Sequence, residues 1–320
     1  MTVNDQHVLE IQPLLLRLRS AFIYHEAFAL MSSSFERMIE KRRFEIASDV
    51  TAEARGLVVV GASGSGKTTA VEQLIRKHPS PEDVGDVPIA EVVSLRVPSP
   101  ATVKHVGMTL LAALGYPMAR EPSAAIIWDN ARSRLRLRRT LFVHFDEAQD
   151  FFNNQNGREL QAVINTVKSL MQDPEWPVGI ILSGMPSLVE MINEDIQLSR
   201  RLKPVYIPPV SLTTHGSDIV NLIGQFAEMS DLVPFDDHAS PEFVQRLLTA
   251  TDGQFGLTIE LIIAAIEDAL YEGSKTLDLS SFVRSYRSRT GCLDARNPFV
   301  TEEFLSIQSH RLLDDLEATA

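Results

Sequence analysis

The chain has 320 residues, 44% of them hydrophobic and 22% charged, and 30 Lys and Arg against 42 Asp and Glu give a formal net charge of −12. At roughly 150 residues per domain this suggests about two packed units, and no apolar run reaches the ~18–20 residues that span a bilayer. The acidic balance disfavours a surface that attracts nucleic acid or anionic membrane as a whole, yet leaves room for a local basic patch. Cys292 is the single cysteine, which excludes an intrachain disulfide, and Met1–Asp5 lacks the basic start and apolar block of a signal peptide. A cytoplasmic protein without a membrane segment is expected.

In chain order, residues 1–55 read as a helical N-terminal extension. Leu9, Leu14, Leu15 and Leu18, continued by Phe22, Ile23 and Tyr24, form one apolar face. Phe28, Leu30, Met31, Phe35, Met38 and Ile39 form another. Leu57–Val60 is a short apolar run ended by Gly61, as in a parallel strand covered on both faces. A loop follows, then a helix from Lys67 to about Lys77. Further strands are expected at 90–95, 141–145, 178–182 and 205–207. The helices between them fall at 102–115, 123–138, 157–171 and 186–193. Strands alternating with helices imply a parallel α/β sheet with right-handed crossovers. After Val210 the pattern becomes purely helical, at 219–229, 241–250, 258–270 and 279–286, with no strand expected. A rather long, acidic loop spans 78–90, and one helix is expected in the tail, Thr301–Leu316.

Gly61-Ala62-Ser63-Gly64-Ser65-Gly66-Lys67-Thr68 matches the phosphate-loop pattern G-x-x-x-x-G-K-[ST] at every fixed position. The glycines let backbone N–H groups turn inward on an anion. Lys67 should reach the β- and γ-phosphates of ATP, and the Thr68 hydroxyl should sit on Mg²⁺. The helix that starts here points its positive end at the phosphates. Asp146-Glu147 ends the strand 141–145. Asp146 would hold Mg²⁺ through its water shell, and Glu147 would act as general base on the attacking water. Two adjacent carboxylates so placed are the Walker B arrangement of ATPases. His144 reads as a core residue or a side chain behind these carboxylates sooner than as a metal ligand. Arg132, Arg134, Arg136, Arg138 and Arg139 are spread around a helix and read mainly as solvated surface.

Together these elements resemble the AAA+ ATPases from about Gly56 to Tyr286. The fold implied is a three-layer αβα P-loop core at 56–212, a small all-helical lid at 213–290 and a tail at 291–320. The resemblance makes Ser183 the sensor 1 residue. It makes Arg201, or failing that Arg200, an arginine finger that acts on the neighbouring subunit. It extends the nucleotide-binding set to Thr69, Tyr24 and Gly256. The run Gly256-Leu257-Thr258-Ile259-Glu260 offers no Arg at the usual sensor 2 position.

Within AAA+ the chain is similar to the TniB family of transposition ATPases, relatives of TnsC. Leu18–His25, Val143–Phe151, Leu182–Pro186, Asp195–Arg201 and Asp252–Gly256 carry the likeness. The resemblance implies an ATP-dependent ring or helical filament on double-stranded DNA that recruits a DDE transposase and a TniQ-like target-selection protein. DNA contacts would come from the segment Arg96–Lys104, with Arg96, Thr102 and Lys104 as the candidates. Two other readings compete: a helicase-loader ATPase of the IstB or DnaC kind, and a signalling ATPase scaffold that binds no DNA.

Overall fold

The computed structural model describes residues 3–81, 88–120, 122–151 and 157–309. Its helices and strands begin with α1 (Val3–Ser20), α2 (Glu26–Ala47), β1 (Gly56–Val60), α3 (Lys67–Lys77), β2 (Val92–Arg96), α4 (Val103–Ala113) and α5 (Ala124–Leu137). β3 (Phe142–Asp146), α6 (Gly157–Met171), β4 (Gly179–Gly184), α7 (Ser187–Asn193), α8 (Ile196–Ser199) and β5 (Leu202–Tyr206) follow. The last stretch holds α9 (Leu212–Met229), β6 (Val233–Pro234), α10 (Pro241–Ala250), α11 (Phe255–Tyr271), β7 (Thr276–Leu277) and α12 (Leu279–Thr290). Two compact units result. One comprises Tyr24–Ala62 and Lys67–Ile207; the other comprises the chain up to Ile23, Ser63–Gly66 and the chain from Pro208 onward.

The first unit is built on a wholly parallel sheet in the order β2-β3-β4-β1-β5. Every residue of β1 is buried, as its unbroken apolar sequence requires of a central strand. Gly56 at its start is forced by the neighbouring strand, because a Cβ there would stand 1.8 Å from the Ile180 carbonyl oxygen. α2 lays Phe28, Met31, Phe35 and Ile39 inward, and Phe35 packs edge-on against Phe142 at 5.0 Å between centroids. The buried Arg42 guanidinium donates to the Pro177 carbonyl at 2.8 Å and pairs with Glu45 at 3.0 Å, so no charge is left uncompensated.

The second unit is a helical cluster of α1 and α9–α12 with one continuous apolar core. Ile11, Leu15 and Leu18 of α1 are buried in it, at the spacing of one helical face. The Arg19–Glu267 ion pair at 2.7 Å and the Gln12–Tyr271 hydrogen bond at 2.8 Å fasten α1 to α11. The helical extension expected over 1–55 is thus divided, with α1 in one unit and α2 in the other. Leu14 is only half-buried, and the Leu9 side chain lies outside the described residues.

Two expectations need correction. The helical stretch does contain strand: β6 and β7 form a two-residue parallel pair, too short to leave a periodic signal in the sequence. The tail helix expected at Thr301–Leu316 is, over its described part, a single 3-10 turn at Phe304–Ser306. The Thr301 and Pro298 carbonyls accept from the Arg246 guanidinium at 2.6 and 2.7 Å instead of from helical amides. Residues 310–316 of that helix, and residues 82–87 of the acidic loop, lie outside the described residues.

Candidate nucleotide site

The phosphate-loop residues follow β1 and run into α3. Gly64 and Gly66 adopt φ of 77° and 91°, a region closed to most side chains. Gly64 is also crowded, since a Cβ there would meet Leu257 Cγ at 2.4 Å. The Leu257 amide donates to the Gly64 carbonyl at 3.0 Å. Gly256 has no room for a side chain either, because its Cβ would stand 2.6 Å from the Gly64 oxygen. Gly256 therefore lies against Gly64 of the loop.

Lys67 is buried to 8% exposure and donates from Nζ to the Gly61 and Ala62 carbonyls at 3.0 and 2.8 Å. An ammonium has three donors, so one remains for an anion. Burial pushes the Lys67 amine below its ordinary range, while Glu147 and Asp146 pull it back up. A phosphate would act in the same direction as these carboxylates. Ser65 Oγ is buried and has no hydrogen-bond partner among the described residues. A buried orphan hydroxyl, a desolvated cation and glycine-shaped backbone fit a phosphate group. Thr68 and Thr69, in the first turn of α3, are exposed.

Asp146 ends β3 and is the point of convergence. Its Oδ2 accepts from Thr68 Oγ1 at 3.0 Å, and its Oδ1 accepts from Ser183 Oγ at 2.5 Å. The two residues that the sequence analysis expects on one cation, Thr68 and Asp146, are thus within hydrogen-bond distance of each other. Ser183 is fully buried on β4. Behind it stands His144, 1% exposed, with Nε2 at 2.7 Å from Ser183 Oγ and Nδ1 at 2.8 Å from Ser94 Oγ. Burial lowers the His144 pKa to about 4, against the opposing pull of the Asp146 charge, so the ring is neutral near pH 7. Its two ring nitrogens face the Ser183 and Ser94 hydroxyls.

Glu147 sits at φ 54°, a left-handed conformation that a non-glycine residue adopts at a cost. Its Oε2 accepts from Gln149 Nε2 at 2.6 Å, and Gln149 Oε1 accepts from the Met185 amide at 3.0 Å. Gln149, part of the stretch Val143–Phe151, has no role assigned from sequence. Its reach depends on the 3-10 turn Ala148–Phe151, which the motif does not announce. Gly184 leaves room for it, because a Cβ there would stand 2.3 Å from Gln149 Oε1.

The two candidate fingers differ. Arg201 donates to both Glu53 oxygens at 3.0 and 3.1 Å and to the Gln197 carbonyl at 2.6 Å. The same bond holds the Glu53 carboxyl below its usual range. Arg200 is exposed and lines, with Lys41, Arg55 and Arg201, a cavity of about 390 Å³. Arg96 is exposed at the end of β2, and the next amide, Val97, donates to the Asp146 carbonyl at 2.9 Å. Thr102 caps α4, its hydroxyl accepting from the His105 amide at 3.2 Å, and Lys104 is exposed in the first turn. Tyr24 is exposed ahead of α2, edge-on to Phe28 at 5.6 Å. The arginines in and just after α5 are engaged within the unit: Arg132 with Asp129 and Asp173, Arg134 over the Tyr116 ring, Arg136 with Glu175 and Arg138 with two carbonyls.

A sequence model described as "Bacterial TniB protein" matches residues 20–212, more than half of the chain. No curated protein matches the sequence. Among solved structures, the fold is similar to the Aeropyrum pernix ORC1 protein in complex with DNA, at 14% identity and a TM-score of 0.61, covering 86% of this chain and 68% of that one. It is also similar to the Aeropyrum pernix ORC2 protein in its ADPNP–ADP complexes, at 15% identity and TM-score 0.57, covering 79% and 66%. A Walker-type ATPase of Pyrococcus abyssi matches at 14% and 0.54, covering 85% and 73%. The chain thus spans about two thirds of the length of the first two. At such identities the likeness shows the fold, that of the AAA+ P-loop ATPases.

Proposed function

The chain belongs to the TniB family, and on that premise we propose that it is an ATP-dependent regulator of DNA transposition. It binds ATP and Mg²⁺, hydrolyses the γ-phosphate, and assembles on double-stranded DNA as a ring or filament. That assembly recruits a DDE transposase and a TniQ-like target-selection protein. We assign the ATPase core to 56–212 and the lid to 213–290. The observation that carries the nucleotide part is the meeting of Thr68 and Ser183 on the Asp146 carboxylate, at 3.0 and 2.5 Å.

The residues divide the work. Loop amides and Lys67 hold the β- and γ-phosphates. Thr68 and Asp146 would hold Mg²⁺, which when bound neutralises charge developing on the phosphate oxygens. Glu147 takes the proton of the attacking water.

Arg200 is the better finger. Arg201 is occupied by Glu53 and Gln197, whereas Arg200 is exposed. Arg200→Ala is expected to keep ATP binding and to lose turnover by about 10³-fold, the lower end for arginine fingers in GTPases. Arg201→Ala should lose much less. Mixing Arg200→Ala with Lys67→Ala subunits should restore activity if the finger serves the neighbour's nucleotide. Co-assembly without rescue at any ratio counts against action in trans.

The test of the DNA part is nucleotide-gated binding. An isolated subunit of net charge −12 is repelled by DNA. An assembly presents a copy of Arg96–Lys104 from each subunit. If six subunits each neutralise one phosphate, log affinity falls with log salt at a slope of about −5. Contacts to phosphate give little sequence preference. Anisotropy titrations of two unrelated duplexes over a salt series, with ATP, ADP and no nucleotide, read this directly. Lys104→Ala should weaken binding to both duplexes alike and flatten the slope. Equally tight binding without nucleotide overturns the assembly argument, and no binding in any state favours the protein scaffold.

A further inference from the structure

Three strands contribute one side chain each to a chain of hydrogen bonds that ends on Asp146. Ser94 stands on β2, His144 on β3 and Ser183 on β4, with separations of 2.8, 2.7 and 2.5 Å down to Asp146 Oδ1. The direction of every bond follows from its last member. A carboxylate only accepts, so the single proton of Ser183 points at Asp146. Ser183 Oγ then has nothing left to donate and must accept from His144, which puts the ring proton on Nε2. Nδ1 is left bare and accepts from the Ser94 hydroxyl. A ring that carries one proton between these two neighbours serves both only in this tautomer.

We propose that His144 is a positioning residue for the Mg²⁺-side carboxylate: its Nε2–H tautomer holds the Ser183 hydroxyl on Asp146 and so fixes the oxygen pair that Asp146 and Thr68 present. Ser183 is then committed to Asp146 and is not free to report on the γ-phosphate by hydrogen bonding. The relay also ties the carboxylate to β2, two residues before Arg96, whose register partner is Asp146 itself. The consequence for Mg²⁺ rests on the nucleotide reading above; the tautomer does not.

The test has two arms. In the first, ¹⁵N-histidine NMR of the full-length, nucleotide-free protein is taken at neutral pH, with the His144 signal assigned from its absence in His144→Asn. A neutral Nε2–H ring is expected. Ser183→Ala should convert it to the Nδ1–H form, because Ser94 Oγ becomes the remaining acceptor. An Nδ1–H wild-type ring, or one that ignores Ser183→Ala, overturns the relay.

The second arm compares His144→Gln with His144→Asn. The Gln amide nitrogen stands where Nε2 was and can still donate to Ser183, whereas the Asn amide stands near Nδ1 and cannot. The Mg²⁺ concentration that half-completes the ATP-induced thermal shift should rise roughly tenfold in His144→Asn, as for one lost hydrogen bond to a charged system. In His144→Gln it should stay near wild type. ATP affinity in excess EDTA should be the same in both. Equal midpoints in the two variants would show His144 to be packing alone. If wild type shows no ATP shift, the nucleotide reading fails while the first arm still decides the relay.

Discussion

Lys67→Ala is expected to remove the thermal stabilisation that ATP gives the wild-type protein. At 100 times its dissociation constant a ligand stabilises the folded state by about 2.7 kcal/mol. The wild type should show that shift and the variant almost none of it. The reason lies in how the ammonium is held. Two of its protons are fixed on the Gly61 and Ala62 carbonyls, which aims the third, and burial has already stripped most of its water. A desolvated, pre-aimed cation gives its full attraction to an arriving phosphate. Alanine leaves the anion with backbone amides alone. The Thr68–Asp146 contact does not involve the lysine, so the folded variant without nucleotide should melt within a few degrees of wild type. A full ATP shift in Lys67→Ala would falsify the phosphate-loop assignment.

Glu147→Gln should separate binding from hydrolysis. The substitution keeps the shape and removes the proton acceptor, so ATP and DNA binding persist while phosphate release slows by roughly 10²–10⁴-fold, the usual range for a general base. The fold tolerates it. Gln149 Nε2 now donates to the Glu147 carboxylate at 2.6 Å, and a glutamine carbonyl can take the same bond. Because turnover is what ends the ATP state, complexes on DNA should outlive those of wild type by a similar factor. Phosphate release and the lifetime on a labelled duplex, measured on the same preparation, check both halves. Wild-type turnover in Glu147→Gln would place the water's activation elsewhere.

The parts of the site that could be read in the sequence are those whose geometry is local. Gly61–Thr68 must turn back on itself within eight residues, so its glycines and lysine are fixed by position. Asp146-Glu147 is legible because a buried strand runs straight into it. Beyond that, sequence yields strands but not their neighbours. Ser94, His144 and Ser183 become one chain only when β2, β3 and β4 are adjacent and in register, and nothing within any one segment says so. The proposed preference for Arg200 over Arg201 rests on the bond of Arg201 to Glu53, more than a hundred residues away in sequence. The division of the N-terminal helices has a similar cause: both faces look apolar, and only the partner surfaces tell them apart. The tail failed for a different reason, since its carbonyls are taken by the Arg246 side chain and no helical pattern can foresee that competition.

Gln149 has one carboxamide and two obligations, Glu147 at one end and the Met185 amide at the other. A hydrogen bond to a charged group contributes about 1.5–3 kcal/mol net. A gap of that size would put a released form of Glu147 at roughly 0.6 to 8 per cent of molecules before any ligand arrives. A ligand that prefers the released form tenfold, about 1.4 kcal/mol, therefore multiplies a minority and does not have to create a new state. The same amide links the two ends: a displacement of the backbone at Met185 would also disturb the hydrogen bond to Glu147. One hydrogen bond of that size is all that would separate a held Glu147 from a released one, so a single well-placed contact would be enough to set the ratio between them.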